Sequence, residues 1–291
     1  MELFIILLSS FISLISPVNL VGDIVVEDAI RSRLEKVEQL DVRIDNAPSY
    51  QITQGKLQRL RIASRGLQLT SDLRINTLEL DIDEIDVDLP ALLEKESEAS
   101  PDLFRKPLQA GVRLVLTEDD INQALQSPKV TARISQLLKR FLKRLPGAGE
   151  QDYELLSTQV ELLEENRLAI QLQFQGTGTA EAESQELKIR LETGVEVENS
   201  KSLKLIEPLV SINETQIPPL LAAGLKAIVK DFTDLGKLED SGIIVRLLKL
   251  EINSNELEIA NFVRVDESTA SKLLTLPMPL LRFAPLKAED S

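Results

Sequence analysis

The chain contains no histidine, no cysteine and no tryptophan, and only eight phenylalanines and two tyrosines among 291 residues. Without histidine or cysteine, a Ser-His-Asp or Cys-His nucleophile cannot be assembled. Structural zinc, iron–sulfur and haem sites lose their usual ligands as well. Disulfides are impossible, so cysteine usage says nothing about the compartment. Scarce aromatics and a net charge of −14 both argue against nucleic acid as a partner, because such surfaces need stacking platforms and clustered Lys and Arg. Carboxylate, lysine and tyrosine chemistry remains open. Nothing in the composition favours it, and the expectation is a protein that is not an enzyme.

What the chain has in abundance is Leu, Ile and Val, within a hydrophobic content of 43 %. Residues 3–21 carry no charge and approach the length of a bilayer span, although Pro17 and Asn19 interrupt the end of the run. No basic side chain precedes it, as a secretory signal would require. Residues 1–22 are therefore expected to be a membrane anchor or signal-like segment. Val26, Ile30, Leu34 and Val37 follow at helical spacing. After Pro48 the period shortens to two, and strands are expected over residues 56–62, 73–89 and 111–116. Thr117 with Asp120 has the spacing of a capping box, opening a helical region that runs toward Leu145. Hairpins follow around residues 164–167, 199–200 and 253–255, and a helix is announced by Pro218 and Pro219.

This order implies an α+β fold, in which long antiparallel strands are crossed by a few long helices. Neither a GxGxxG nor a P-loop fingerprint is present. The expected division is residues 1–22 as anchor, 23–265 as the main domain with similar halves near 23–147 and 148–265, and 266–291 as a proline-containing tail.

Three features are candidates for function. The acidic run "LELDIDEIDVDL" invites a cation site, but it is strand-like, whereas calcium loops bend to converge their ligands. A solvated strand face that discourages edge pairing is the better reading, and no metal or cofactor is expected. Residues 127–147 form a basic amphipathic stretch, with Lys139, Arg140, Lys143 and Arg144 opposite an aliphatic side. Such a helix can meet anionic headgroups, or simply pack on a sheet with its cations in water. Finally, Leu60, Ile62, Leu78, Leu80, Ile82, Leu114, Leu116, Ile170, Leu172, Ile189 and Leu191 occupy the dry side of several strands. They suit either an ordinary core or a groove for acyl chains.

The stretches "GKLQRLRIASRGLQL", "LRINTLELDIDEIDVDL" and "GVRLVLTEDDINQAL" resemble the LmeA-like phospholipid-binding family. "SPVNLVGDIVVEDAIRSRLEKVEQLDVRIDNAPSYQITQGK" resembles its cyanobacterial branch in particular. "IPPLL" and "LEINSNELEI" fit the same pattern, so the likeness spans residues 20–265. These motifs are structural rather than catalytic. The resemblance implies a helix-and-curved-sheet domain similar to tubular lipid-binding folds, with an apolar groove for phospholipid or a related anionic lipid. It supplies no headgroup residues. Arg59, Arg61 and Arg65 are candidates by chemistry alone.

The resulting expectation is a membrane-associated protein, in the plasma or thylakoid membrane or the cell envelope, that binds and transfers or presents lipid without catalysis. The alternative is a membrane-bound assembly factor whose apolar face takes a protein partner.

Overall fold

Alternation in "RLRIASRGLQLT" and "LRINTLELDI" gives each segment one aliphatic and one charged side, and the two pair as neighbouring strands. The structure is a computed structural model that describes residues 36–93, 103–128, 130–132, 134–135, 152–177, 186–216 and 233–275. Its strands are β1 (Gln39–Asp45), β2 (Lys56–Leu57), β3 (Arg59–Thr70), β4 (Leu73–Ile82), β5 (Ile85–Asp86) and β6 (Leu108–Thr117). They continue with β7 (Asp152–Leu163), β8 (Arg167–Thr177), β9 (Glu186–Glu198), β10 (Ser202–Ile212), β11 (Thr215–Gln216), β12 (Ile243–Ile252) and β13 (Glu256–Val265). Helices among the described residues include α1 (Leu89–Leu93), α2 (Glu118–Leu125) and α3 (Glu267–Thr275).

The strands form a six-stranded antiparallel sheet, ordered β1-β3-β4-β6-β13-β12, and a five-stranded sheet, ordered β11-β10-β9-β8-β7. β2 and β5 make a small third pair. The last hairpin, β12–β13, joins the first sheet beside β6, so that sheet draws on both ends of the sequence.

The α+β expectation is overturned, and with it the architecture of long helices packed across curved sheets. Among the described residues the fold is β-rich, built mostly of antiparallel sheets with few helices. Hairpin-linked strands of 10 to 13 residues, such as β4 and β9, pair along most of their length and consume the chain. α2, by contrast, is only 8 residues long. Helical periodicity over a short window marks an amphipathic turn or two and does not set the class of the fold. The helical readings over residues 23–35, 136–145 and 217–232 lie outside the described residues.

One end of the six-stranded sheet is closed over. Leu60, Ile82, Val245 and Val263 lie buried beneath Ile85, Val87, Phe104, Leu238 and Leu273 in one cluster. The aliphatic phase slips after Ile82 and resumes at Ile85, because residues 83–84 separate β4 from β5. α3 begins the expected tail, yet it belongs to this core. Its Ser271 hydroxyl accepts the Leu103 and Phe104 N–H groups at 2.9 and 3.2 Å. Gly66 holds a φ of +57°, and beyond it the buried phase of β3 moves from Leu60 and Ile62 to Leu67.

The two sheets meet through α2 and the hairpin turns. Thr117 and Asp120 form the expected capping box, and buried Asp120 also pairs with Arg74 at 2.8 Å. From α2, the Asn122 amide donates to Val160 O at 2.8 Å and accepts from Val160 N at 2.7 Å. Glu118 accepts the Leu162 N–H at 2.9 Å. These side chains occupy backbone groups on the edge strand β7, which would otherwise template further pairing. Asn166, in the left-handed region at φ 57°, takes both backbone groups of Ile252. Ser200 O accepts the Leu247 N–H of β12.

The opposite, solvated side of the six-stranded sheet is laced with ion pairs. Arg59 holds Asp81 below the usual carboxylate range by donating to it, and Arg113 does the same for Glu258. Backbone N–H donation from Ala91, reinforced by Arg105, lowers Asp88. Lys201, with Arg246, lowers Glu239. A carboxylate depressed in the folded state stabilises it above the unfolded pKa, and that contribution disappears as pH falls through the folded value.

Two outcomes are expected. With no histidine to titrate, the melting temperature should be flat from about pH 6 to 8 and fall below about pH 5. A melting temperature at pH 3.5 equal to that at pH 7 would contradict these ion pairs. Asn122→Ala should cost about 1–3 kcal/mol in urea unfolding, because it strands both backbone groups of Val160. Unchanged stability would exclude this edge cap.

Candidate functional site

Cross-strand register places the aliphatic residues anticipated from sequence on a shared face of each sheet. In the six-stranded sheet, Leu60 opposes Ile82, Ile62 opposes Leu80, and Leu78 opposes Leu114. Leu116 lies two positions further along β6, beside Leu257. In the five-stranded sheet, Leu172 opposes Ile189 and Ile170 opposes Leu191. The two faces connect at the junction. Val160 and Leu162 of β7, Val195 of β9 and Ile252 of β12 form one cluster with Leu250, Leu257 and Ile170. Ile170 also belongs to the second-sheet cluster around Phe174 and Val210. An aliphatic wall therefore runs across both sheets.

Burial along this wall is uneven. Leu60 is fully buried and Leu78 is 2 % exposed. Val112, Leu114, Leu116, Leu257, Ile259 and Ile170, nearer the junction, are only half-buried. Apolar area left in part accessible within such a wall is where an apolar ligand gains most by covering it.

The basic candidates point elsewhere. Arg59, Arg61 and Arg65 alternate along β3 with Leu60, Ile62 and Ser64, so they occupy the opposite, solvated side. Arg59 and Arg61 are engaged with Asp81 and Asp45, while Arg65 is exposed. Lys139, Arg140, Lys143 and Arg144 lie outside the described residues. The acids of the opening run also divide. Asp81 is half-exposed, whereas Asp86 is buried between Lys56 and Arg105 at 3.6 and 3.5 Å and is not solvated as expected.

On that solvated side lies a feature the sequence did not announce, an open trough of about 830 Å³. Its lining includes three small residues, Ala63 and Ala260 in the cross-strand row of Glu79 and Arg113, and Gly111 in the next row, opposite Asp81. A side chain added at Gly111 would meet open space. Arg43, Arg61 and Arg113 wall it together with Asp41, Glu79 and Asp81. The three cations and three anions balance, and Arg61 and Arg113 already sit in ion pairs within the protein. The trough therefore has no net charge with which to draw an anionic headgroup. At its rim Leu248, the extra residue of a β-bulge, is 68 % exposed.

Among the described residues no cluster of three or more carboxylates is placed to hold a metal ion. Among them, too, no helix is long and apolar enough to cross a membrane. The apolar residues 1–22 lie outside that set.

A family model described as LmeA-like phospholipid-binding matches residues 17–261. That span contains the five-stranded sheet, the junction and the six-stranded sheet up to the middle of β13, and the chain belongs to this family. No curated protein matches the chain.

Proposed function

We propose that this member of the LmeA-like phospholipid-binding family holds its lipid on the aliphatic wall shared by the two sheets. The carrying observation is the continuity of that wall through Val160, Ile252 and Ile170, with a half-buried stretch at its centre. Each methylene of an acyl chain laid there contributes about 0.8 kcal/mol, so a chain of ordinary length binds without directed chemistry. Phospholipid is the ligand class the family description supports, and we infer that the bound lipid is a phospholipid or a related anionic lipid. Binding followed by transfer or presentation, with no bond made or broken, is the mode of action we infer.

We further place the protein at a membrane. Residues 1–22 supply the anchor, and Lys139, Arg140, Lys143 and Arg144 supply attraction to anionic headgroups. The N-terminal pattern supports a cyanobacterial-type member, at the plasma or thylakoid membrane or elsewhere in the cell envelope.

Lipid extracted from the purified protein and identified by mass spectrometry is expected to include phospholipid, and a fluorescent phospholipid should be taken up. Leu114→Lys and Ile170→Lys, one on each sheet, should each weaken uptake by more than about tenfold, because a buried unpaired charge is costly. No lipid and no uptake would instead favour a protein partner for this face. Loss in only one variant would confine the ligand to one sheet. Replacing Lys139, Arg140, Lys143 and Arg144 with Gln should reduce binding to anionic vesicles, most clearly at low salt. Unchanged binding would remove them from the mechanism.

A further inference from the structure

A strand at the edge of a sheet offers unpaired backbone N–H and C=O groups, and folds commonly blunt such edges. Three strands of this chain are blunted. Asn122 and Glu118 occupy the edge of β7, and Asn166 and Ser200 occupy that of β12. β10, which β11 covers only at Ser211 and Ile212, carries Pro208 and a break in register between Ile206 and Leu209.

β1 has none of these devices. Its 7 residues pair with β3 in unbroken register and include no proline. Among the described residues no strand or side chain bonds to its outer edge. Gln39, Asp41, Arg43 and Asp45 lie on the charged side of the sheet, and Leu40, Val42 and Ile44 on the aliphatic side. The charged groups are held only within the strand or by its neighbour. Arg43 reaches Asp45 at 2.9 Å with its side chain 70 % exposed, and Asp41 accepts from Gln39 at 2.9 Å.

This order of residues is complementary to itself. When two copies of β1 run antiparallel about a two-fold axis through Val42, every residue of the strand gains a partner. Asp41 of each copy then faces Arg43 of the other, Gln39 faces Asp45, Leu40 faces Ile44, and Val42 faces Val42. The neighbouring registers that keep the same faces together set Asp41 against Asp41, or Arg43 against Arg43. Like charges directly opposite destabilise a strand pair, so the charges select the first register.

We propose that β1 is the docking edge for a second copy of this chain, joining two six-stranded sheets into one continuous antiparallel sheet. The aliphatic rows that end at Val42 in each copy then meet, and the wall passes from one protomer into the next. That consequence rests on the lipid-binding reading, whereas the pairing does not. A strand pair covers less area than a permanent interface, so the association is weak in dilute solution and is best read by trapping it.

The absence of cysteine from the chain provides the trap. Opposed residues of an antiparallel pair have Cα atoms about 4.5–5.5 Å apart, within reach of a disulfide. Val42→Cys in the full chain, oxidised in detergent solution, is expected to give a disulfide-linked dimer. Ser254→Cys, exposed on the β12–β13 turn, should give no dimer above the collisional background. Adding Asp41→Arg or Arg43→Asp to V42C sets like charges opposite and should cut the yield roughly tenfold, and adding both should restore it. Sedimentation velocity of the cysteine-free D41R, R43D and doubly substituted chains at high concentration should follow the same order, which keeps the test decisive if V42C does not fold. No V42C dimer beyond the S254C level, dimers indifferent to the charge variants, or monomer throughout in sedimentation would overturn the pairing. Each of these results leaves phospholipid uptake to be judged separately.

Discussion

The structure depends on how the outward edge of β12 is satisfied. Backbone groups along that edge would be left open if the six-stranded sheet stood alone. Instead Asn166 supplies an acceptor to the Ile252 N–H and a donor to its carbonyl, at 2.7 and 3.2 Å, while Ser200 accepts from Leu247 at 2.8 Å. Buried backbone groups must be paired, so these bonds fix where the second sheet can sit. Asn166 can serve because it tolerates the left-handed backbone that a tight hairpin demands. With the turns pinned to β12, Ile252 and Val160 come into one cluster and two aliphatic faces become one. The proposed lipid site is a consequence of that edge.

The two sides of the six-stranded sheet illustrate a division of labour set by alternation. One side is aliphatic from Val42 to Leu247, interrupted only by Asn261 in that row. The other is a lattice of Arg–carboxylate pairs around a neutral trough. Exposed pairs of this kind contribute little stability one by one. Their arrangement does keep the sheet from offering a second sticky face, and the bulge at Leu248 breaks its regular register. Headgroup recognition is then better sought near the ends of the wall or outside the sheet than at Arg59 and Arg61, which already have partners.

Much of this was legible in the sequence. Period-two alternation located β3, β4 and β6, turn residues located the hairpins at 164–166, 199–200 and 253–255, and Thr117–Asp120 opened α2. The same alternation put the eleven aliphatic candidates on common faces. The class of the fold was not legible, because short amphipathic windows look alike whether they extend into long helices or stop after two turns, as α2 does. The roles of Asn122 and Asn166 were hidden for a different reason. Side-chain-to-backbone bonds across 38 and 86 residues leave no periodic trace. Asp86 is buried because an arginine and a lysine distant in sequence reach it. The break in the wall at Asn261 did leave a signal. In "ELEIANFVRV" it occupies the position where Leu257, Ile259, Val263 and Val265 call for another aliphatic residue.

The central claim is that the wall across both sheets, not the trough behind it, is the surface that holds lipid. It is tested most directly by photo-crosslinking with a phospholipid carrying a diazirine in its acyl chain, followed by peptide mapping. The account predicts adducts on inward-facing positions of both sheets, at or beside Leu114, Leu116 and Ile170. Adducts confined to the trough residues Ala63, Gly111 and Ala260, or none above the level of an unrelated β-rich protein, would contradict it.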